Sequence, residues 1–175
     1  MLSWLKRTSE STQAPVDDRD LLDEALAESR RLQEAGDIDA AVAQAEGALA
    51  QQPRQPRSLM RLGTLRLLQQ RLDEAEALYR RGLELDPGNA DWHYNLAFVY
   101  AGRGDNVNAV ASYRNAIFLQ PTHRDAHFNL ATELHEIDEL HAAIEHYRAA
   151  DSIEPGHLDV LTGCGLALLE LDNLG

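Results

Sequence analysis

Cysteine is almost missing from this chain. A single residue, Cys164, stands among 175, which excludes an internal disulfide and a zinc site built from several thiolates. Aromatic residues are scarce at 6%, with only three Phe. Basic residues are outnumbered, 16 Lys and Arg against 29 Asp and Glu, and the net charge of −13 speaks against a general nucleic-acid binder, which needs a basic face to displace counterions. No apolar run reaches the ~18–20 residues that cross a membrane. The opening Met1, Leu2, Ser3, Trp4, Leu5, Lys6 and Arg7 lack the long apolar core of a secretory signal; they read as a frayed end or a short sticky arm. The expectation is a soluble, cytoplasmic protein.

Ala and Leu are abundant. They fill 25 and 28 positions, and both favour helix over strand. They also recur with a fixed period. Pro53, Pro87, Pro121 and Pro155 lie 34 residues apart, and so do Ala41, Ala75, Ala109 and Ala143. A second small-residue column is Ala48, Gly82, Ala116 and Ala150, and a third is Ser29, Gly63, Ala97, Ala131 and Gly165. Tyr79, Tyr113 and Tyr147 form an aromatic column, with Ala45 in the first copy. The units are 22–55, 56–89, 90–123 and 124–157, followed by a partial unit 158–175; residues 1–21 lie outside the register as a flexible lead-in.

Each unit reads as two helices. In the third, Tyr94, Leu96, Ala97 and Tyr100 fall on adjacent faces of a first helix, Gly102, Gly104 and Asp105 interrupt it, and Ala109, Val110, Tyr113, Ala116 and Ile117 mark a second. Proline ends each unit because it cannot continue a helix. The small columns mark close helix crossings, where a larger side chain would push the backbones apart. A helix pair cannot bury its apolar face alone, so the units stack into an all-α solenoid.

These residues resemble the tetratricopeptide repeat (TPR) family, whose 34-residue pattern runs Trp-x-x-Leu-Gly-x-x-Tyr, then Ala, an aromatic and Pro. The third unit carries it as Leu96, Ala97, Tyr100, Ala109, Tyr113, Ala116 and Pro121. The fourth carries Leu130, Ala131, Ala143, Tyr147, Ala150 and Pro155, with Leu134 in place of the Tyr. The second carries Leu62, Gly63, Ala75, Tyr79, Gly82 and Pro87, with Arg66 in place of the Tyr; the first is degenerate, Glu28 holding the Leu position. The resemblance covers residues 22–175. It implies a right-handed superhelix of antiparallel helix pairs whose first helices line a concave groove that binds a protein or peptide partner.

Helical phase places Arg57, Arg61, Tyr94, Asn95, Phe98, Phe128, Asn129, Thr132 and His135 on the groove side of the first helices. Asn95 and Asn129 sit one repeat apart, and a row of amides can hold an extended backbone without reading its side chains. Such a row resembles that of O-linked N-acetylglucosamine transferases; its rival is an Asn bonded within the groove. Arg57 and Arg61 suit a carboxylate or phosphate, or else pair with nearby acids. Tyr94, Phe98 and Phe128 serve as anchors for a ligand or as packing between repeats. The residues with which some relatives clamp a chaperone's C-terminal carboxylate are not matched.

All seven histidines lie between 93 and 157. Their spacings show no convergence of three metal ligands, so no metal or cofactor is expected. No catalytic constellation appears, and the chain reads as a non-enzyme. Gly163, Cys164 and Gly165 suggest a nucleophile only superficially: Cys164 shares the column of Leu62, Leu96 and Leu130 and is expected as a small buried residue. The fourth unit is the most acidic at −6, the first carries −4 and the partial fifth −3; the acidic fourth and fifth units suit a basic partner or simply keep the array soluble. Leu161, Leu166, Leu168, Leu169 and Leu171 crowd the last helix, and Leu174 matches the phase at which second helices open. This leucine-rich end reads either as a surface for self-association or as the point where a longer chain continues. The alternative function is therefore the N-terminal substrate-recruiting region of a glycosyltransferase-, sulfotransferase- or methyltransferase-type enzyme.

Overall fold

The computed structural model describes residues 18–173. Within them lie nine α-helices and no strand: α1 (Asp18–Glu34), α2 (Ile38–Gln51), α3 (Pro56–Leu68), α4 (Leu72–Leu85), α5 (Ala90–Gly102), α6 (Asn106–Leu119), α7 (Arg124–Glu136), α8 (Leu140–Ile153) and α9 (Leu158–Asn173). Each helix packs on its neighbours in sequence, and first helices also touch one repeat apart, α3 on α5 and α7 on α9. The chain is a helical solenoid, and its hairpin boundaries follow the proline period. One boundary moves. Helix α1 opens at Asp18, four residues before the expected register, because Leu22 and Leu26 bury themselves against Ala48 and the acidic Asp20 suits the positive end of the helix. The rest of the proposed lead-in, 1–17, and Leu174 lie outside the described residues.

The hairpins close in one way. Gly36, Gln70, Gly104 and Asp138, 34 residues apart, all take positive φ, at 84°, 60°, 71° and 62°. Each is followed by a residue whose N–H returns five places, as in Asp37 to the Leu32 carbonyl and Arg71 to the Arg66 carbonyl at 2.9 and 2.8 Å. This is the Schellman closure, and its left-handed position favours glycine. Two repeats supply glycine; two place Gln70 and Asp138 there. Asp37 and Asp105 then cap the second helices by accepting from the N–H groups of Ala40 and Asn108.

The small columns meet large neighbours. Ala41, Ala75, Ala109 and Ala143 are fully buried. A methyl group at Gly63 would collide with the Tyr79 ring, and one at Gly82 would lie 2.6 Å from atoms of the Trp92 indole. The joints between repeats thus pair residues of complementary size. At the positions equivalent to Gly82 and Trp92 the other joints carry the buried pairs Ala48 and Ser58, Ala116 and Ala126, and Ala150 and Val160, but glycine is required where the fully buried Trp92 arrives. Cys164 is half-buried rather than buried, because among the described residues α9 packs on α7 and α8 along one side only. Its other side leaves Leu158, Leu161, Leu166 and Leu169 exposed, while Leu168 and Leu171 pack against the core.

Candidate functional site

The first helices α3, α5 and α7 together line a groove of about 600 Å³. Its walls are apolar at Leu67, Leu68, Tyr94, Phe98 and Tyr113, and polar at Asn95, Asn129, Thr132 and Glu133. Leu68 and Phe98 are about half exposed, at 51% and 47%, large for apolar side chains so deep in the array. Tyr94 holds the middle of the groove. Its ring packs on Phe98 and Tyr113, both with centroids 5.9 Å away, and its hydroxyl accepts from the Asn129 amide at 3.1 Å. The Asn95 amide donates to the Asp91 carbonyl of its own helix at 2.7 Å and leans on the Met60 sulfur. Among the described residues neither asparagine uses its side-chain carbonyl, which leaves an unengaged acceptor on two residues that line the groove. Thr132 donates back to the Phe128 carbonyl at 3.1 Å, and its hydroxyl lies 3.4 Å from the Tyr147 hydroxyl.

Five of the nine residues placed on the groove side by helical phase therefore converge: Tyr94, Asn95, Phe98, Asn129 and Thr132. The other four do not join them. Arg57 and Arg61 line a separate hollow of about 370 Å³ toward α1. There Arg57 pairs with Asp23. Arg61 Nε donates to the Ser29 hydroxyl at 2.9 Å, and its terminal nitrogens reach the Ser29 carbonyl and Gln33. Burial, aided by Arg30, holds the Arg61 guanidinium below its ordinary pKa. Phe128 packs on Tyr147 with centroids 6.0 Å apart, and the Arg124 guanidinium sits 5.7 Å above its ring. His135 meets Glu170 of α9 at 2.9 Å.

Sequence reasoning missed Glu133. Its carboxyl lines the groove beside Tyr113, and burial, reinforced by the charge of Glu136, raises its pKa above the ordinary carboxylate value. The period carried the signal: beyond the exposed Arg31 of the first repeat, the same column holds Leu65, Val99 and Ala167, all fully buried. Among the described residues no three His, Cys, Asp or Glu side chains gather to hold a metal, and no helix is long and apolar enough to cross a membrane. Chemically the groove offers apolar surface, hydrogen-bonding amides and one carboxylate, which are the groups of recognition.

The tetratricopeptide repeat family profile matches residues 26–90 and 94–157. The chain belongs to the tetratricopeptide repeat family. No curated protein sequence matches it significantly. Among solved structures, one of MamA is similar at 23% identity with a TM-score of 0.72, covering 85% of this chain and 81% of that one. An O-GlcNAc transferase of Thermobaculum terrenum is 27% identical with a TM-score of 0.72; the match covers 78% of this chain but only 27% of the transferase. The first TPR of Spaghetti (RPAP3), bound to an HSP90 peptide, is 20% identical with a TM-score of 0.65, covering 67% of this chain and 93% of that one.

As a TPR array the chain departs from its family where Arg66 replaces Tyr in the second repeat. Arg66 is nearly buried and ion-paired to Glu46 and Glu74, with Gln69 accepting at 2.8 Å. Carboxylates from two neighbouring helices thus satisfy a charge where other repeats pack Tyr100 or Leu134. The TPR position usually held by Trp carries His127. Its Nε2–H donates to the Pro121 carbonyl at 3.1 Å, so in the neutral pair its Nδ1 accepts from His146 Nδ1–H at 3.0 Å. Burial lowers both pKa values, and for His146 the approach of His127 adds to the effect. His123 caps α7, its Nδ1 accepting from the Ala126 N–H at 3.3 Å.

Proposed function

We propose that this chain holds an extended peptide, or a segment of a partner protein, in the groove of α3, α5 and α7. One observation carries the reading. Phe98 and Leu68 stand exposed beside two asparagines whose free carbonyls sit one repeat apart, as an anchor and a backbone-holding row would require. Family membership, which implies a protein or peptide partner, supports it, as does the peptide-bound relative named above. The chain contributes binding and no chemistry of its own. Its partner is a polypeptide rather than a nucleic acid, and its compartment the cytoplasm. Peptides selected against the chain should shift the amide resonances of Tyr94, Asn95, Phe98 and Asn129. The double variant Asn95→Ala, Asn129→Ala should weaken binding while the array stays folded. Binding that survives this change undiminished removes the asparagine row from the mechanism.

A second reading is favoured by the transferase match, the most identical of the three structures compared. Here the array recruits substrates for a catalytic domain that follows in the same polypeptide. The reading frame downstream of codon 175 decides it: an enzyme domain in frame supports recruitment, and a stop codon leaves the stand-alone adaptor. A third use of the molecule, self-association through the exposed leucines of α9, is tested by light scattering, where a concentration-independent monomer refutes it.

A further inference from the structure

Glu133 breaks the pattern of its own column. The first repeat, at the open end of the array, has the exposed Arg31 there, but in the second, third and fifth units Leu65, Val99 and Ala167 are apolar and fully exclude water, so a carboxylate in this place inside the array costs stability unless something compensates it. Nothing within the described residues does. No hydrogen bond or ion pair engages its oxygens, and its charged neighbour is another acid, Glu136. Three acids of the first helices do have a basic side chain beside them: Glu28 pairs with Arg31, Asp23 with Arg57 and Asp125 with Arg124. The unmatched carboxylate opens into the same groove as Phe98, Leu68 and the two asparagines. The fourth repeat, to which it belongs, carries eight acids against two arginines.

We propose that the groove selects a basic and apolar peptide, one whose Leu, Phe or Trp seats against Phe98 and Leu68 while a Lys or Arg a few residues along pairs with Glu133. This rests on the groove reading above and adds the partner's chemistry to it. An acidic or phosphorylated segment would bring like charge against Glu133 and Glu136 and is rejected. The raised pKa of Glu133 accords with a site that gains a counter-ion only on binding. The misplaced carboxylate is a stability cost of the kind that marks functional positions.

A random peptide library displayed on phage, selected against the full chain, tests the proposal. The expected result is enrichment of Lys or Arg at one fixed offset from an aromatic or aliphatic residue. A synthetic copy of the selected peptide should bind Glu133→Gln about tenfold more weakly or worse. Glu133→Lys should recover binding to the peptide in which the basic residue is replaced by Glu. Glu133→Val, which restores the column, should keep the array folded, raise the melting temperature by about 2–4 °C and lose the basic preference. If Phe98→Ala abolishes binding while Glu133→Gln binds as tightly as the parent chain, the basic pairing is wrong and the groove stands. If Phe98→Ala binds unchanged, or no peptide is enriched, the groove reading falls with it.

Discussion

The first two repeats and the next two present polar side chains at equivalent positions, yet use them for opposite ends. In the second repeat Arg57 and Arg61 reach back one unit and are held there by Asp23, Ser29 and Gln33. In the third and fourth, Asn95 and Asn129 make their contacts through the amide nitrogen and leave the side-chain oxygen unengaged among the described residues, and Glu133 has no counter-ion there. The lesson is that a repeat position does not fix a role. Long guanidiniums spend several donors on the preceding first helix and become part of the joint, whereas each short amide spends its nitrogen there and leaves its oxygen unengaged.

Four changes would break or sharpen that contrast. The largest effect falls where the two halves meet, at Gly82 and Trp92. Trp92→Ala removes a fully buried indole and should cost ~3–5 kcal/mol, read as a lowered urea midpoint. Gly82→Ala should cost ~1–3 kcal/mol, because its methyl would lie 2.6 Å from the indole. The double variant imitates the Ala116–Ala126 joint and should cost clearly less than the two single losses together; strict additivity would show that the pair is not coupled. Next comes the contrast itself. Arg61→Ala should destabilise by ~1–2 kcal/mol, since it strips three hydrogen bonds from the first joint. Asn129→Ala should change stability by less than about 0.5 kcal/mol while weakening peptide binding. Equal losses of stability would erase the distinction drawn between the halves.

Smaller effects follow. Gln70→Gly should stabilise by ~0.5–1 kcal/mol in thermal melts, because its left-handed backbone favours a residue without Cβ. Asp138→Gly should gain less, as Asp tolerates that conformation better than Gln. The last concerns pH, and only the C-terminal half, where the His127–His146 pair lies. The fold disfavours protonation of both rings, so the unfolded chain takes up their protons first as the solution is acidified. Their contribution is neutral well above about pH 6.5 and turns against folding below it. It stops growing once the folded rings protonate too. Melting temperature measured from about pH 8 to pH 5 should fall less steeply for His146→Gln than for the parent chain.

The array was legible because its signals repeat. Prolines, small columns and the aromatic column each place the same boundary, so errors at one position are corrected by the next. The left-handed turn was visible at Gly36 and Gly104; at Gln70 and Asp138 only the period reveals it, because neither residue announces that backbone. The Gly82–Trp92 pairing was not visible, since a Trp among Ser58, Ala126 and Val160 says nothing about which small residue must yield to it. The site was half legible. Helical phase put Tyr94, Asn95, Phe98, Asn129 and Thr132 on the side where they line one groove, but could not tell that Arg61 would be captured by the preceding repeat or that Phe128 would pack on Tyr147. Glu133 was hidden because it looks like one more acid in an acidic repeat until its burial is compared with that of Val99.

The unequal joint also bears on how such a chain can be lengthened or shuffled. Most seams match Ala with a small or medium partner, and blocks of 34 residues cut there would fit together again in new orders. The seam between the second and third blocks behaves like a key in a lock: the indole and its glycine must be inherited together, so recombination that divides them leaves either a hole or a clash.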